Sequence, residues 1–249
     1  MKYKRDFLDT VVARIDFDAP LPIAKEGPPK SVYASLKARF PITEEKKIVG
    51  KELIVSVDAM KERPLESTEW HYYGKDRQKQ LNIGPAAMYV KYTKYEYYEK
   101  LHDDFLSVSD ALFDAYPKLQ VKRLGLRYID NITIDEGHPM EWDKYLRPEL
   151  NSIFSLAEDK SCVSRAFHVL EFNYGEDSLR FQFGMFNPDY PSPIKQKLYV
   201  FDSDMYTSKI LDKADIEPIL NRFHLKLKET FESMITDELR KIMEPVDAG

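Results

Sequence analysis

The stretch Arg123-Leu-Gly-Leu-Arg-Tyr-Ile-Asp-Asn-Ile132 limits the fold more than any other part of the chain. Written in alternation, Leu124, Leu126, Tyr128, Ile132 and Ile134 fall on one side and Arg123, Arg127 and Asn131 on the other. A period of two belongs to a strand with one buried face, so the stretch predicts a half-buried central strand over 121–134. Its two guanidinium groups then need carboxylates, solvent or an anionic ligand, because an unpaired buried charge costs several kcal/mol.

The remaining elements are read around that strand. Val11, Ala13, Ile15 and Phe17 alternate with Val12, Arg14, Asp16 and Asp18, giving a first strand of the same kind, which the Pro-rich connector 19–29 ends. Val32, Leu36 and Phe40 recur every fourth residue, a short amphipathic helix stopped at Pro41. The segment 48–94 has no helical period and is rich in Val, Ile, Trp and Tyr. Its turn signals at Arg63-Pro64, Gly74-Lys75-Asp76 and Gly84-Pro85 divide it into a meander of strands near 47–59, 68–74, 77–83 and 87–93. Thr93 and Glu96 have capping-box spacing ahead of a helix whose stripe is Tyr98, Leu101, Phe105, Val108 and Leu112. That helix ends near Pro117 and is expected to cover the sheet.

From 121 the order begins again. The strand is followed by a helical stretch over 141–157, kinked or broken near Pro148, with Leu146, Leu150, Ile153 and Phe154 on one side. Strands near 163–173, 178–186 and 196–204 follow, with a turn at Glu176-Asp177 and a Pro-rich loop from Asn187 to Pro193. Asp215 is expected to cap a last helix carrying Ile216, Leu220, Phe223, Leu227, Phe231 and Met234 and running to about residue 243.

Both halves therefore read strand, helix, three or four antiparallel strands, long helix. The expectation is an α+β protein built by internal duplication, with residues 1–118 and 119–249 as repeats packed into one globular unit. The order of elements resembles the TATA-binding-protein-like fold, a curved sheet backed by helices. Order, and not residue identity, carries that likeness, and a fold of this kind fixes no function.

Composition narrows the classes. The 249 residues are 43% hydrophobic and 32% charged, and 37 Lys+Arg against 42 Asp+Glu leave a formal charge of -5, so no global field draws the chain to nucleic acid or acidic lipid. The single cysteine, Cys162, has no internal partner, the polar N-terminus is unlike a signal peptide, and no apolar run approaches the roughly 20 residues of a membrane helix. The expected location is the cytoplasm, with no membrane partner and no cofactor.

The Arg-Leu-Gly-Leu-Arg-Tyr-Ile block at 123–129, with Leu198-Tyr-Val-Phe-Asp-Ser-Asp204 ahead of the final helix, resembles a sporadically distributed bacterial family of about 250 residues. The resemblance covers most of the chain, including the Arg14-Ile-Asp-Phe end of the first strand and the Tyr-rich middle. It implies a role connected with defence or mobile islands, and it brings no agreed activity, cofactor or catalytic residue. The family pattern Arg-Tyr-Ile-Asn is interrupted here by Asp130 before Asn131.

Three constellations carry chemistry. Arg14, Arg123, Arg127 and Arg180, with Gln182 beside the last, fall on polar strand faces, and guanidinium forks suit phosphate or carboxylate bidentately. Pairing with strand carboxylates is the structural alternative. Asp202 and Asp204 lie two apart and point to one face, a spacing that can hold Mg²⁺ with a third ligand such as Glu171; salt bridges to the arginines are the alternative. The run Tyr89 to Tyr98, with Tyr92 and Tyr95 between lysines, interleaves rings and ammonium groups as single-strand nucleic-acid surfaces do, although tyrosine is also an ordinary strand and helix-face residue. His168 falls on an apolar strand face and reads as a satisfied core histidine. The five histidines show no HExxH spacing, and GxSxG, P-loop and GxGxxG motifs are absent. The first expectation is therefore a non-enzymatic binding module for nucleic acid or another anionic partner. The alternatives are a metal-dependent phosphodiesterase or nuclease using Asp202 and Asp204, and a structural homodimer formed through apolar residues from Met234 to Met243.

Overall fold

A computed structural model describes residues 2–23, 27–55 and 60–246. The elements run β1 (Lys2–Tyr3), β2 (Leu8–Phe17), α1 (Lys30–Leu36), β3 (Ile42–Val55), β4 (Met60–Tyr73), β5 (Lys79–Ile83), β6 (Ala87–Tyr92), α2 (Tyr98–Ala115), β7 (Val121–Thr133), β8 (Ala166–Tyr174), β9 (Asp177–Met185), β10 (Leu198–Thr207), α3 (Lys213–Met234), α4 (Asp237–Met243) and β11 (Pro245–Val246). The protein is α+β. Among the described residues nine strands hydrogen-bond in the order β3-β4-β5-β6-β2-β7-β10-β9-β8, and β1 pairs separately with β11. The chain divides into two compact units, 12–126 with 207–221, and 1–11 with 127–206 and 222–249. Strands β2 and β7 each contribute to both.

In the first unit the expected meander forms, its ladders β3–β4, β4–β5 and β5–β6 all antiparallel. The predicted strand over 47–59 begins earlier, at Ile42, and its residues 56–59 lie outside the described residues, as do 24–26 of the Pro-rich connector. Arg63 and Pro64 do not break the chain: both lie in β4, paired with Glu52 and Lys51 of β3. Only Trp70–Tyr73 of β4 pair with β5, so the stretch holding Pro64 has a ladder on one side alone among the described residues, where a missing amide hydrogen is tolerated.

The α2 stripe is buried as its spacing requires. Leu101, Phe105, Val108 and Leu112 are withdrawn from solvent, each worth about 1.5–3 kcal/mol over an exposed position. The expected capping box is not made. Tyr97 is the N-cap and has no side-chain cap, Thr93 Oγ1 donates to the Gln78 carbonyl at 3.1 Å, and Glu96 accepts from Lys100 Nζ at 2.9 Å.

The second unit contains the β8–β9 hairpin. Its turn sits one residue earlier than predicted, at Gly175-Glu176: Gly175 adopts φ +85°, which glycine supplies without strain, and its N–H donates to Asn173 Oδ1 at 2.8 Å. Asp177 is already in the strand, where it accepts both forks of Arg222 at 2.8 and 3.0 Å.

The predicted helix over 141–157 is absent. Three 3-10 turns stand there and just beyond, at Pro148–Leu150, Ser152–Leu156 and Lys160–Cys162, and Pro148 opens the first of them, where its missing amide hydrogen costs no hydrogen bond. Leu146, Leu150 and Phe154 are nonetheless buried, while Ile153 is exposed. The final helix is also two helices. Asp215 lies within its first turn, accepting from the Asp212 N–H at 3.0 Å, and α3 stops at Met234, where Ile235 bridges to Leu146 and Thr236 N–H donates to the Tyr145 carbonyl at 3.0 Å. Ile235, Leu239 and Met243 are buried within the chain, so the apolar stripe that was to form a dimer face is consumed internally. Among the described residues no helix is long and apolar enough to cross a membrane.

Candidate functional site

In the first unit the buried side of β2 is Ala13, Ile15 and Phe17, which leaves Arg14 and Asp16 together on the opposite face. Arg14 donates to Asp16 Oδ1 through Nε and NH2 at 2.9 and 2.6 Å, and Arg123 NH1 stands 3.8 Å from the other oxygen. The same unit assembles a polar network that the sequence reading missed. Register places His71 opposite Asn82 and Asn82 opposite Tyr89, so all three share a face. His71 Nε2 lies 3.1 Å from Glu69 Oε2, Asn82 Nδ2 donates to the same carboxylate at 2.7 Å, and Gln80 Nε2 donates to the Tyr89 hydroxyl at 3.2 Å. Burial, with the nearby Glu69 charge, raises the Tyr89 hydroxyl above its ordinary range. No local spacing announces this cluster, because its members meet only through strand register.

In the second unit Arg127 grips Asp202 as a fork, Nε to Oδ1 at 2.6 Å and NH2 to Oδ2 at 2.5 Å, and the carboxylate raises the guanidinium pKa further. Arg180 faces Glu171 directly across the β8–β9 ladder, at 3.8 Å, and Gln182 lies opposite Val169. Asp202 and Asp204 share a face of β10, as their spacing requires. They do not assemble a metal site with Glu171. Both Asp202 oxygens are engaged by Arg127, and Glu171 stands on β8, separated from β10 by β9, about 9–10 Å away at two strand spacings. Among the described residues no group of three His, Cys, Asp or Glu side chains could hold a metal ion.

The two tyrosine candidates are placed differently. Tyr95 is half-buried, while Tyr92 points into the core at 4% exposure, where its ring is closed to a stacking base. Its hydroxyl donates to Asp104 Oδ2 at 2.5 Å, and burial together with that carboxylate raises its pKa strongly. Asp104 is itself buried and also accepts from Lys79 Nζ at 2.5 Å and Arg39 NH1 at 2.7 Å. The available signal was a carboxylate within the apolar stripe of α2, between Leu101 and Phe105. The period of β7 carried a similar one: Asp130 falls on the same side as Tyr128 and Ile132 and is buried there, and desolvation, with Asp6 nearby, pushes its pKa up to about 8. His168 lies on the apolar side beside Phe183, as expected, but its buried Nε2 has no hydrogen-bond partner among the described residues.

No protein-family model matches the sequence, and no curated protein is detectably similar to it.

Proposed function

We propose that this protein is a non-enzymatic binding module that takes an anionic partner, with nucleic acid as the first test, through the arginine-bearing sheet faces of its units. One observation carries the reading. Arg14, Arg127 and Arg180 are each paired with a carboxylate, yet their side chains remain 48%, 47% and 54% exposed. The Arg180–Glu171 pair, exposed on both sides, contributes only about 0–1 kcal/mol to stability and can exchange its carboxylate for an external phosphate or carboxylate at small cost. Asp16 and Asp202, by contrast, are largely buried, so Arg14 and Arg127 offer an anion the guanidinium NH1 that their own pairs leave unused. The overall charge of -5 requires that such contact be local.

The same reading takes the chain as an internal duplication. Its support is the strand order: outward from β2 run β6, β5, β4 and β3, and outward from β7 run β10, β9 and β8, each run ending in sequence with a long helix, α2 or α3.

The test is fluorescence anisotropy with labelled single-stranded DNA and RNA 20-mers across a salt series. Binding that weakens with salt, with a smaller salt slope in Arg14→Ala and in Arg127→Ala, is expected. Affinity unchanged by both variants, or no binding at low salt, overturns the nucleic-acid form of the proposal.

A further inference from the structure

A separate feature of the first unit lies where three chain segments meet. The exit of α1 brings Arg39, the β4–β5 turn brings Lys75 and Lys79, and the connection from β6 into α2 brings Lys94 and Lys100. Between them is a cleft of about 280 Å³. Backbone bonds close the turn and tie it to the β6 exit, Gly74 N–H donating to the Lys79 carbonyl at 3.0 Å and Thr93 N–H to the Gln78 carbonyl at 2.8 Å, while the α1 exit is held through Arg39 and Asp104.

Five cations line this cleft against two acids, Asp76 and Glu96, with Asp104 beneath. Two positive charges are left uncompensated. Folding alone does not need this surplus. Asp104 is served by Arg39, Lys79 and Tyr92, whereas Lys75 and Lys94 are exposed and have no salt-bridge partner among the described residues. Asp104 acts as a positioning residue: by holding Arg39 and Lys79 it fixes two cations at the cleft floor. Only NH1 of Arg39 is used on Asp104, so donors of its fork remain for a ligand.

We propose that this cleft binds the phosphate of a small phosphomonoester. A phosphate monoester carries about −1.5 to −2 charges at neutral pH, which matches the surplus, and it presents three acceptor oxygens to converging Arg and Lys donors. The volume falls just below the usual small-molecule range of about 300–1,000 Å³ and suits one phosphate with a compact organic group rather than a polymer strand. Ala38 and Pro41 supply the short apolar wall against which such a group rests. This site stands apart from the arginine faces and does not depend on them.

Isothermal titration with glucose 6-phosphate and AMP, with glucose and adenosine as controls, tests the assignment. Saturable one-site binding of at least one phosphorylated probe below about 1 mM is expected, with none of its unphosphorylated counterpart. The double variant Lys75→Ala/Lys94→Ala, both positions exposed, is expected to weaken binding at least tenfold with an unchanged melting temperature. Arg14→Ala is expected to leave it intact, which separates this site from the arginine faces. The proposal is overturned by no saturable binding up to 10 mM, by equal binding of the unphosphorylated controls, or by a double variant that binds as the parent does.

Discussion

Replacing Asp104 by Asn keeps the volume of the side chain and removes the charge on which Arg39, Lys79 and Tyr92 converge. Breaking a buried ion pair from one side costs about 3–5 kcal/mol, because the partner charge is left without compensation. Two features reduce that figure here: the Arg39 side chain is 40% exposed and can turn to water, and the Asn carbonyl still accepts one hydrogen bond. Lys79, at 18%, meets water only through the cleft it lines, so more of the loss falls on it. The expected loss is therefore about 2–3 kcal/mol, which for a chain of this size lowers the melting temperature by about 5 °C. Urea unfolding at pH 7, followed by circular dichroism, measures it. A double-mutant cycle with Lys79→Met assigns the loss: in the Asp104→Asn background Lys79→Met is expected to cost nothing or to stabilise, so the two changes are strongly non-additive. A loss under about 0.5 kcal/mol, or additive changes, refutes the argument that this carboxylate neutralises a buried cation.

Asp130 gives a pH prediction. Its proton is held to about pH 8 in the fold, against a pKa of about 4 in the unfolded chain, so between these values the native state binds more protons and stability falls as pH rises. The slope contributed is up to about 1.4 kcal/mol per pH unit. Asp130→Asn is expected to flatten the fall in urea midpoint between pH 5 and 8, and parallel profiles for parent and variant would count against the burial argument. Gly184, at φ +144°, stands opposite Phe167, and a Cβ there would lie 2.1 Å from the Ala166 carbonyl oxygen. Gly184→Ala is expected to cost at least about 2 kcal/mol, read from urea midpoints, and a neutral result would mean that the β8–β9 ladder relaxes freely.

Much of the architecture was legible because it rests on local periodicity. The alternation in β2 and β7 and the three-and-four stepping of α2 each say which side must leave water, and the buried residues obey them. Where the pattern was shorter the reading slipped. Leu146, Leu150 and Phe154 are buried as a helix would bury them, yet 3-10 turns achieve the same burial around Pro148. Pro64 reads as a break in any isolated sequence, and only the pairing of β5 with the last four residues of β4 leaves it an edge to occupy.

The sequence by itself determined which faces are apolar, where α2 lies and where α3 begins, and that Arg14, Arg123, Arg127 and Arg180 stand on polar strand faces, since a side chain's direction follows from the period of its element. Tertiary structure decided their partners. Arg127 meets Asp202 across 75 residues and Arg39 meets Asp104 across 65, and no local rule relates such positions. It also decided that Tyr92 serves a buried carboxylate rather than an open surface, and that lysines from a turn and a helix entry border one cleft. The physical reason is common to all of these: period sets the direction in which a side chain points, while strand register and helix docking set what it meets there.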